Sequence, residues 1–231
     1  SLRPDVIVVC GWQRLLGRSV IEVPAWGAIG VHTSLLPKYR GRAPVNWAII
    51  KGERQTGTTV FKIDVGADTG PILGQRAFSI GPFDTCGDVY RKSAEASADL
   101  LAGILAKISA GTVELRTNPS SAAACMPKRT PDDGLIDWGK GVLELHNWVR
   151  ALTHPYPGAF TIVSGKRIFV WQAVPLHEGI GLDVKCGEHK MIEGLGLVFG
   201  CGDGLLLATR VQLEGQKEVC LAQEPIRFED S

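Results

Sequence analysis

No run of about 18 or more consecutive apolar residues occurs in this 231-residue sequence, so hydropathy indicates no helical membrane span. The first residues, SLRPDVIVVCGW, also lack the charged and small-residue flanks of a secretion signal, and a cytoplasmic location is the default expectation. An excess of one charge is missing too: 25 Lys and Arg stand against 24 Asp and Glu, a net +1. A chain so near neutrality is not, taken whole, an electrostatic nucleic-acid binder. The balance is nevertheless uneven along the chain. From residue 159 onward there are seven basic and ten acidic residues (7 − 10 = −3), which leaves 18 basic and 14 acidic before it (+4). An anionic ligand is expected to meet the N-terminal part. CxxC pairs are absent: the six cysteines, Cys10, Cys86, Cys125, Cys186, Cys201 and Cys220, are scattered, as reduced and mostly buried thiols are. Cys186 and His189 could be two metal ligands, but no second pair completes a site and no metal is expected.

What the sequence does contain is 45% hydrophobic residues, enough to build one large domain or two modest ones. Asp5 to Cys10 is a short β-branched run between Pro4 and Gly11, the pattern of a strand buried on both faces of a parallel sheet. Ala28 to His32 and Thr58 to Ile63 repeat it, with helical segments expected at Arg14 to Ile21 and Ala43 to Ile50. Strands alternating with helices predict an α/β layer architecture. Asp84 to Ile108 reads as a long amphipathic helix closed by Gly111. Small and polar residues from Thr117 to Ala124 suggest a linker, and Val142 to Leu152 a short helix stopped by HPYPG. The runs FTIV, RIFVWQAV, GLVFGCGD and LLLATRVQL, divided by glycines, predict a small β-barrel. The expected organisation is a first domain over 1–118, a linker and connecting helix over 119–158, and a barrel over 159–231.

Two polar residues stand out. His32 ends a buried-type strand, and ligands of open α/β sheets bind outside the carboxyl ends of strands. Its bland reading is a histidine that only satisfies backbone groups. Asp68, in DVGADTGPIL, follows the third strand, which is expected to put its carboxylate at the same edge; alone it reads as a turn former. Together the two could make a base oriented by a carboxylate. Lys38, Arg40 and Arg42 in KYRGR form a basic cluster, either a solvated turn or a contact for a diphosphate. Trp47, Trp138 and Trp148 could stack bases, but their positions favour core roles.

HTSLLPKYRGRAPVNWAIIKGERQTGTTVFKIDVGADTGPIL resembles the signature of formyltransferases that use N10-formyltetrahydrofolate, and VIVVCGWQRLLG resembles the strand and loop edging their pterin pocket. KRTPDDGLIDW, LHNWVRALTHPYPGAF and CGDGLLL extend the likeness over nearly the whole chain. The resemblance implies a Rossmann-like α/β domain with a parallel sheet, then a small OB-like barrel, with the first strands of the usual catalytic domain lying outside this sequence. It implies catalysis by His32 and Asp68, and pterin contacts, largely through backbone, from Gly11, Trp12, Arg14, Leu15 and Leu16 and from Val65, Gly66 and Ala67. Ser34, Lys38, Arg40, Arg42 and Asn46 are the expected acceptor-side residues. The family's third polar residue, an asparagine two before the histidine, is here Gly30. Losing one such donor costs on the order of 100- to 1000-fold in rate unless a backbone N–H, a water or another side chain such as Asn46 replaces it. The wording YRGRAPVNW with RTPDDGLIDW and PYPGAF is nearest the sugar-nucleotide N-formyltransferases, such as the one modifying UDP-4-amino-4-deoxy-L-arabinose. The resemblance thus implies formyl transfer to an amino-sugar nucleotide. Alternatives are a methionyl-tRNA formyltransferase, which the −3 C-terminal part disfavours, a 10-formyltetrahydrofolate hydrolase, or a catalytically weak folate-binding relative. No membrane partner is expected, and a homodimer is compatible with the sequence.

Overall fold

The computed structural model describes residues 2–119, 126–176 and 181–223. The chain divides into two compact units, one formed by Ser1–Ala48, Glu53–Pro82 and Asp88–Arg129, the other by Ile49–Gly52, Phe83–Gly87 and Thr130–Ser231. No helix among the described residues is long and apolar enough to cross a membrane.

The first unit is a four-stranded sheet in spatial order β1 (Ile7–Val9), β2 (Ala28–His32), β3 (Gln55–Lys62), β4 (Ile72–Ser79). Only β1 and β2 run parallel; β2 with β3 and β3 with β4 are antiparallel. The expected parallel sheet is therefore a mixed one. After His32 the chain forms a loop and a seven-residue helix, α2 (Pro44–Ile50), and re-enters the sheet at the end it left, so β3 runs back alongside β2. Helix α1 (Arg18–Ile21) is a single turn, shorter than expected, because Gly17 precedes it and Pro24 follows.

Alternation along the strands sorts the two faces of this sheet. Ile29 and Val60 point to one face and pack with Ile104 of α3 (Cys86–Ser109), joined by Val31, Leu73, Leu100, Leu101, Leu105 and Ile108. These helix residues recur at intervals of three and four, so a single stripe of α3 covers the sheet. Gly74 admits the close approach: a Cβ there would lie 3.0 Å from Leu100 and 3.1 Å from Ile104. The opposite face carries Gly30 and His32 beside their register partners Phe61 and Thr59, and it is this face that holds the site. Strand β4 escaped the sequence reading because Gly74, Gln75 and Arg76 break the apolar pattern and most of the strand is partly or fully exposed.

The second unit is an antiparallel sheet of β5 (Ala159–Val163), β6 (Lys166–Leu176), β7 (His189–Ile192), β8 (Gly196–Gly200), β9 (Leu205–Leu213) and β10 (Glu218–Cys220), ordered β5-β6-β9-β8-β7. One edge of β9 is shared, Leu205 to Ala208 pairing with β8 and Arg210 to Gln212 with β10. Among the described residues no pairing of β5 with β7 closes it into the expected barrel. Helix α4 (Val142–Leu152) lays Leu145, Val149 and Leu152 into the core made by Ile168, Val170, Leu197, Phe199 and Leu206. Trp138 stacks on Phe199 with centroids 4.1 Å apart and donates Nε1–H to Thr161 Oγ1, while Trp148 packs against the same core, so both serve packing. Trp47 in the first unit lies under Arg129 and donates Nε1–H to the Pro127 carbonyl.

Helix α4 has no cap from its own N-cap residue, Gly141. The Asp203 carboxylate, brought round by the β8–β9 turn, instead accepts the Val142 N–H at 2.6 Å and places negative charge at the helix N-terminus. Asp203→Ala is expected to lower stability by about 0.5–2 kcal/mol in denaturant unfolding; an unchanged midpoint would remove this role. The thiols are less uniformly buried than expected: Cys86 and Cys201 are buried, Cys10 and Cys186 exposed, and Cys125 lies outside the described residues. Burial, with Asp203 and Cys186 nearby, pushes the Cys201 thiol up to about 12. Alkylation of the native protein near pH 8 should therefore modify Cys10 and Cys186 well before Cys201, as read by peptide mass mapping.

Candidate active site

His32 is the last residue of β2, 8% exposed. Its Nε2 lies 2.7 Å from the Tyr39 carbonyl oxygen. A carbonyl can only accept, so Nε2 carries the proton and the neutral ring keeps its lone pair on Nδ1. That nitrogen faces Asp68, whose Oδ2 is 3.6 Å away, the two side chains being 10% and 22% exposed. The pair is close enough for the carboxylate to meet a proton arriving at Nδ1 and too far for a hydrogen bond in the resting geometry. Asp68 Oδ2 also accepts the Gly41 N–H at 2.8 Å.

The loop after His32 is folded by side chains of the same sheet face. Ser34 Oγ–H donates to the Lys38 carbonyl at 2.6 Å. Thr59, opposite His32 on β3, donates to the Ser34 carbonyl at 2.6 Å and accepts the Leu36 N–H at 3.1 Å. Gln75, opposite Thr59 on β4, donates to the Leu36 carbonyl at 2.8 Å and to Thr59 Oγ1 at 3.0 Å. Three adjacent strands thus hold the turn that presents the Tyr39 carbonyl to the imidazole, Tyr39 itself sitting at φ 56°. The Tyr39 hydroxyl donates to Glu53 at 2.8 Å, and burial followed by that carboxylate raises its pKa.

Asp68 reaches the histidine by a route the sequence did not suggest. Because β3 runs antiparallel to β2, Lys62 stands level with Ile29, three residues before His32. The loop leaving β3 starts at the far end of β2, not at the edge where His32 sits. Loop and imidazole together span an offset of about 10 Å. The turn is organised internally by Asp64, whose Oδ1 accepts the Gly66 N–H at 2.9 Å and the Thr69 hydroxyl at 2.6 Å. Asp68 adopts φ 55°, a left-handed conformation that aspartate tolerates better than most residues.

The remaining candidates divide. Trp12, Leu15 and Val65 are 59%, 66% and 57% exposed, and Gly11, Arg14 and Ala67 are exposed beside them in sequence, with Leu16 and Gly66 half-buried. Arg42 is exposed, and Lys38 is exposed and paired with Glu53 at 3.3 Å. Ser34, Arg40 and Asn46 are buried. Ser34 is committed to the Lys38 carbonyl, and Arg40 directs one terminal nitrogen to Asn118 Oδ1 at 2.5 Å and to the carbonyls of Asn118 and Pro119. Asn46 sits in α2 with no surface. Arg40 therefore joins two backbone segments within the unit and is not displayed to solvent as the basic cluster suggested. Asn118, read as linker, is the site residue that sequence reasoning missed; an asparagine before a proline carried no signal for it.

Gly30 has a structural counterpart. A Cβ there would lie 2.8 and 2.9 Å from Cε1 and Cζ of Phe61 and 3.2 Å from Ile63. Phe61, 5% exposed and directly across from Gly30, lays its ring over the glycine. The volume into which a side chain at this position would project is filled by an aromatic ring from β3. The position next to His32 on the strand is consequently covered by an apolar ring, and residue 30 offers no side-chain donor to an oxyanion there.

The first unit is an α/β layer that brings a histidine and a carboxylate together on one sheet face, the second an antiparallel sheet, and comparison with known proteins gives the class. Residues 1–105 match the formyl transferase family and residues 128–223 the formyl transferase C-terminal domain. The sequence is 35% identical over 222 residues to a methionyl-tRNA formyltransferase of Geobacter metallireducens, covering 95% of this chain and 69% of that protein. The chain belongs to the formyltransferase family. Its fold is shared with HypX from Aquifex aeolicus in complex with tetrahydrofolic acid (TM-score 0.75, 23% identity, 95% of this chain and 38% of HypX). It is also shared with the N-formyltransferase from Helicobacter canadensis in complex with folinic acid and dTDP-3-aminofucose (TM-score 0.69, 22% identity, 85% of this chain and 70% of that one). The chain thus spans little more than a third of HypX.

Overpacking against Phe61 gives a direct check. Gly30→Ala is expected to destabilise by about 1–3 kcal/mol. The same change in a Phe61→Leu background should cost clearly less, so the two substitutions couple in a denaturant-unfolding cycle. Strict additivity would show that the ring does not occupy the space.

Proposed function

We propose that this protein transfers the formyl group of N10-formyltetrahydrofolate to a primary amine, with His32 as general base and Asp68 as its electrostatic partner. The observation that carries the reading is the tautomer: the Tyr39 carbonyl holds the proton on Nε2 and leaves Nδ1 basic beside a carboxylate. The attacking amine forms a C–N bond to the formyl carbon and passes its proton to Nδ1. Asp68 offsets the positive charge that then appears on the ring. As the tetrahedral species collapses, the bond between the formyl carbon and N10 breaks, and the imidazolium returns the proton to N10. The exposed apolar faces of Trp12, Leu15 and Val65 fit a flat pterin, which needs apolar contact over its ring and backbone groups at its edge. With residue 30 a glycine under Phe61, no side chain at that position meets the oxyanion, and an imidazolium N–H, a main-chain N–H, water or another side chain takes its place.

Two acceptors have separate support. Identity of 35% across 95% of the chain to a methionyl-tRNA formyltransferase favours the amine of a charged tRNA. The near-neutral charge, the −3 C-terminal part and the exposed Arg42 favour a smaller anionic acceptor, an amino-sugar nucleotide, recognised from the N-terminal unit. Within this reading Lys38 and Arg42 are the acceptor contacts, and Arg40 supports the loop that carries them. The division expected from the sequence, 1–118, 119–158 and 159–231, is part of this proposal, and α4 packs in the core of the second unit.

The test is turnover of N10-formyltetrahydrofolate alone, with methionyl-tRNA, and with a panel of amino-sugar nucleotides, read by product mass. Formylated tRNA or sugar names the acceptor; turnover without either marks a hydrolase. No turnover under any condition, with folate still bound, overturns the enzyme reading. His32→Ala should lower turnover by at least about 100-fold without unfolding the protein; retained activity would remove its role.

A further inference from the structure

We infer that Asn118 is a positioning residue for the reaction, acting through Asp68; the inference rests on the catalytic reading of His32 and Asp68. Asn118 is 9% exposed and uses both ends of its amide. Its Nδ2 donates to the Asp68 carbonyl and to the Gly70 carbonyl, each at 2.9 Å. Its Oδ1 accepts from Arg40 at 2.5 Å. Arg40 belongs to the loop that carries Tyr39 and Gly41, the residues whose carbonyl and N–H touch His32 Nε2 and Asp68 Oδ2. One side chain therefore ties together the main chain of the aspartate loop and the loop that orients the histidine.

The placement of Asn118 is itself determined by the sheet. Ile72 and Arg116 exchange both backbone hydrogen bonds at 2.8 Å along the outer edge of β4. In an antiparallel ladder a step of two residues past Arg116 comes opposite the residue two before Ile72, which sets Asn118 across from Gly70. The loop that must bring Asp68 back from the far end of β2 is gripped at its return point. Among the described residues, the other hydrogen bonds that hold the αL turn at Asp68 come from Asp64 and the Gly41 N–H. A displacement of about 1 Å at the carboxylate is enough to cost on the order of 100-fold in a pre-organised site.

Asn118→Asp separates the two ends of the amide: it keeps an acceptor for Arg40 and sets a carboxylate oxygen against the Asp68 and Gly70 carbonyls. The intact chain, wild type and variant, labelled with ¹⁵N-histidine, reports the His32 ring nitrogens by NMR as a function of pH, with His32→Gln for assignment. The same samples give kcat, KM for N10-formyltetrahydrofolate and the thermal midpoint. The expected result is a changed Nδ1 signal and pH titration for His32, kcat lower by about 10- to 100-fold, an unchanged KM, and recovery of most of the loss in Asn118→Gln. Wild-type His32 signals and a wild-type pH profile in Asn118→Asp overturn the proposal, whatever the thermal midpoint. Should that variant not fold, Asn118→Ser decides by the same readouts, since it shortens the side chain and removes both amide contacts, to the Asp68 loop and to Arg40; a His32 signature unmoved there also overturns it. If the wild type turns over no folate while the variant still perturbs His32, the catalytic reading fails and the positioning contact stands.

Discussion

The site depends on a carboxylate being held against a histidine although the strands that deliver them run in opposite directions. His32 ends β2, and the loop bearing Asp68 leaves β3 at the level of Ile29, so the 3.6 Å between Nδ1 and Oδ2 has to be built by folding a loop back along the sheet. Each neighbouring feature serves that end. Helix α3 takes the whole of the other face, which frees Gly30, His32, Thr59, Phe61 and Gln75 to make a polar and aromatic surface in place of a second apolar one. Thr59 and Gln75 then fold the loop after His32, and Asn118 with Arg40 fastens the loop of Asp68. A net hydrogen bond contributes only about 0.5–1.5 kcal/mol. Holding two loops in register accordingly takes several of them, buried or partly buried.

The Gly30–Phe61 pair shapes the chemistry from the other direction. A glycine in a strand forfeits side-chain packing, and an aromatic ring from the adjacent strand recovers it by lying across the backbone. Here the ring closes the floor beside His32 and removes the possibility of a polar side chain from that position. Under the proposed mechanism the histidine then carries more of the electrostatic work, which suits the arrangement in which Tyr39 orients one ring nitrogen and Asp68 lies beside the other.

Much of this was legible before any coordinates. Strand β2, helix α4 and strand β9 fall on the expected boundaries, and α3 ends one residue later than expected. All have strong local signals: β-branched runs between glycines, or apolar residues at helical spacing with a stop behind them. His32 and Asp68 were recognisable as a pair from their flanking turns. What was not legible involves groups that meet only after pairing. Strands β4, β7 and β10 have weak patterns and exist because a neighbour's edge is available. Arg40 reads as a surface anchor in KYRGR until Asn118, 78 residues away, is seen to accept from it.

The sequence by itself determined the strongly patterned elements, the family and the histidine and aspartate proposed for the chemistry, because these follow from periodicity, turn residues and motifs contained in short windows. Tertiary structure alone decided the direction of β3, which end of the sheet each loop leaves from, the filling of the space at Gly30 by Phe61, and the role of Asn118. The physical reason is the same in each case. Strand direction and cross-strand register are set by hydrogen bonds between segments distant in the chain, and a side chain's partners are chosen only when that register is in place.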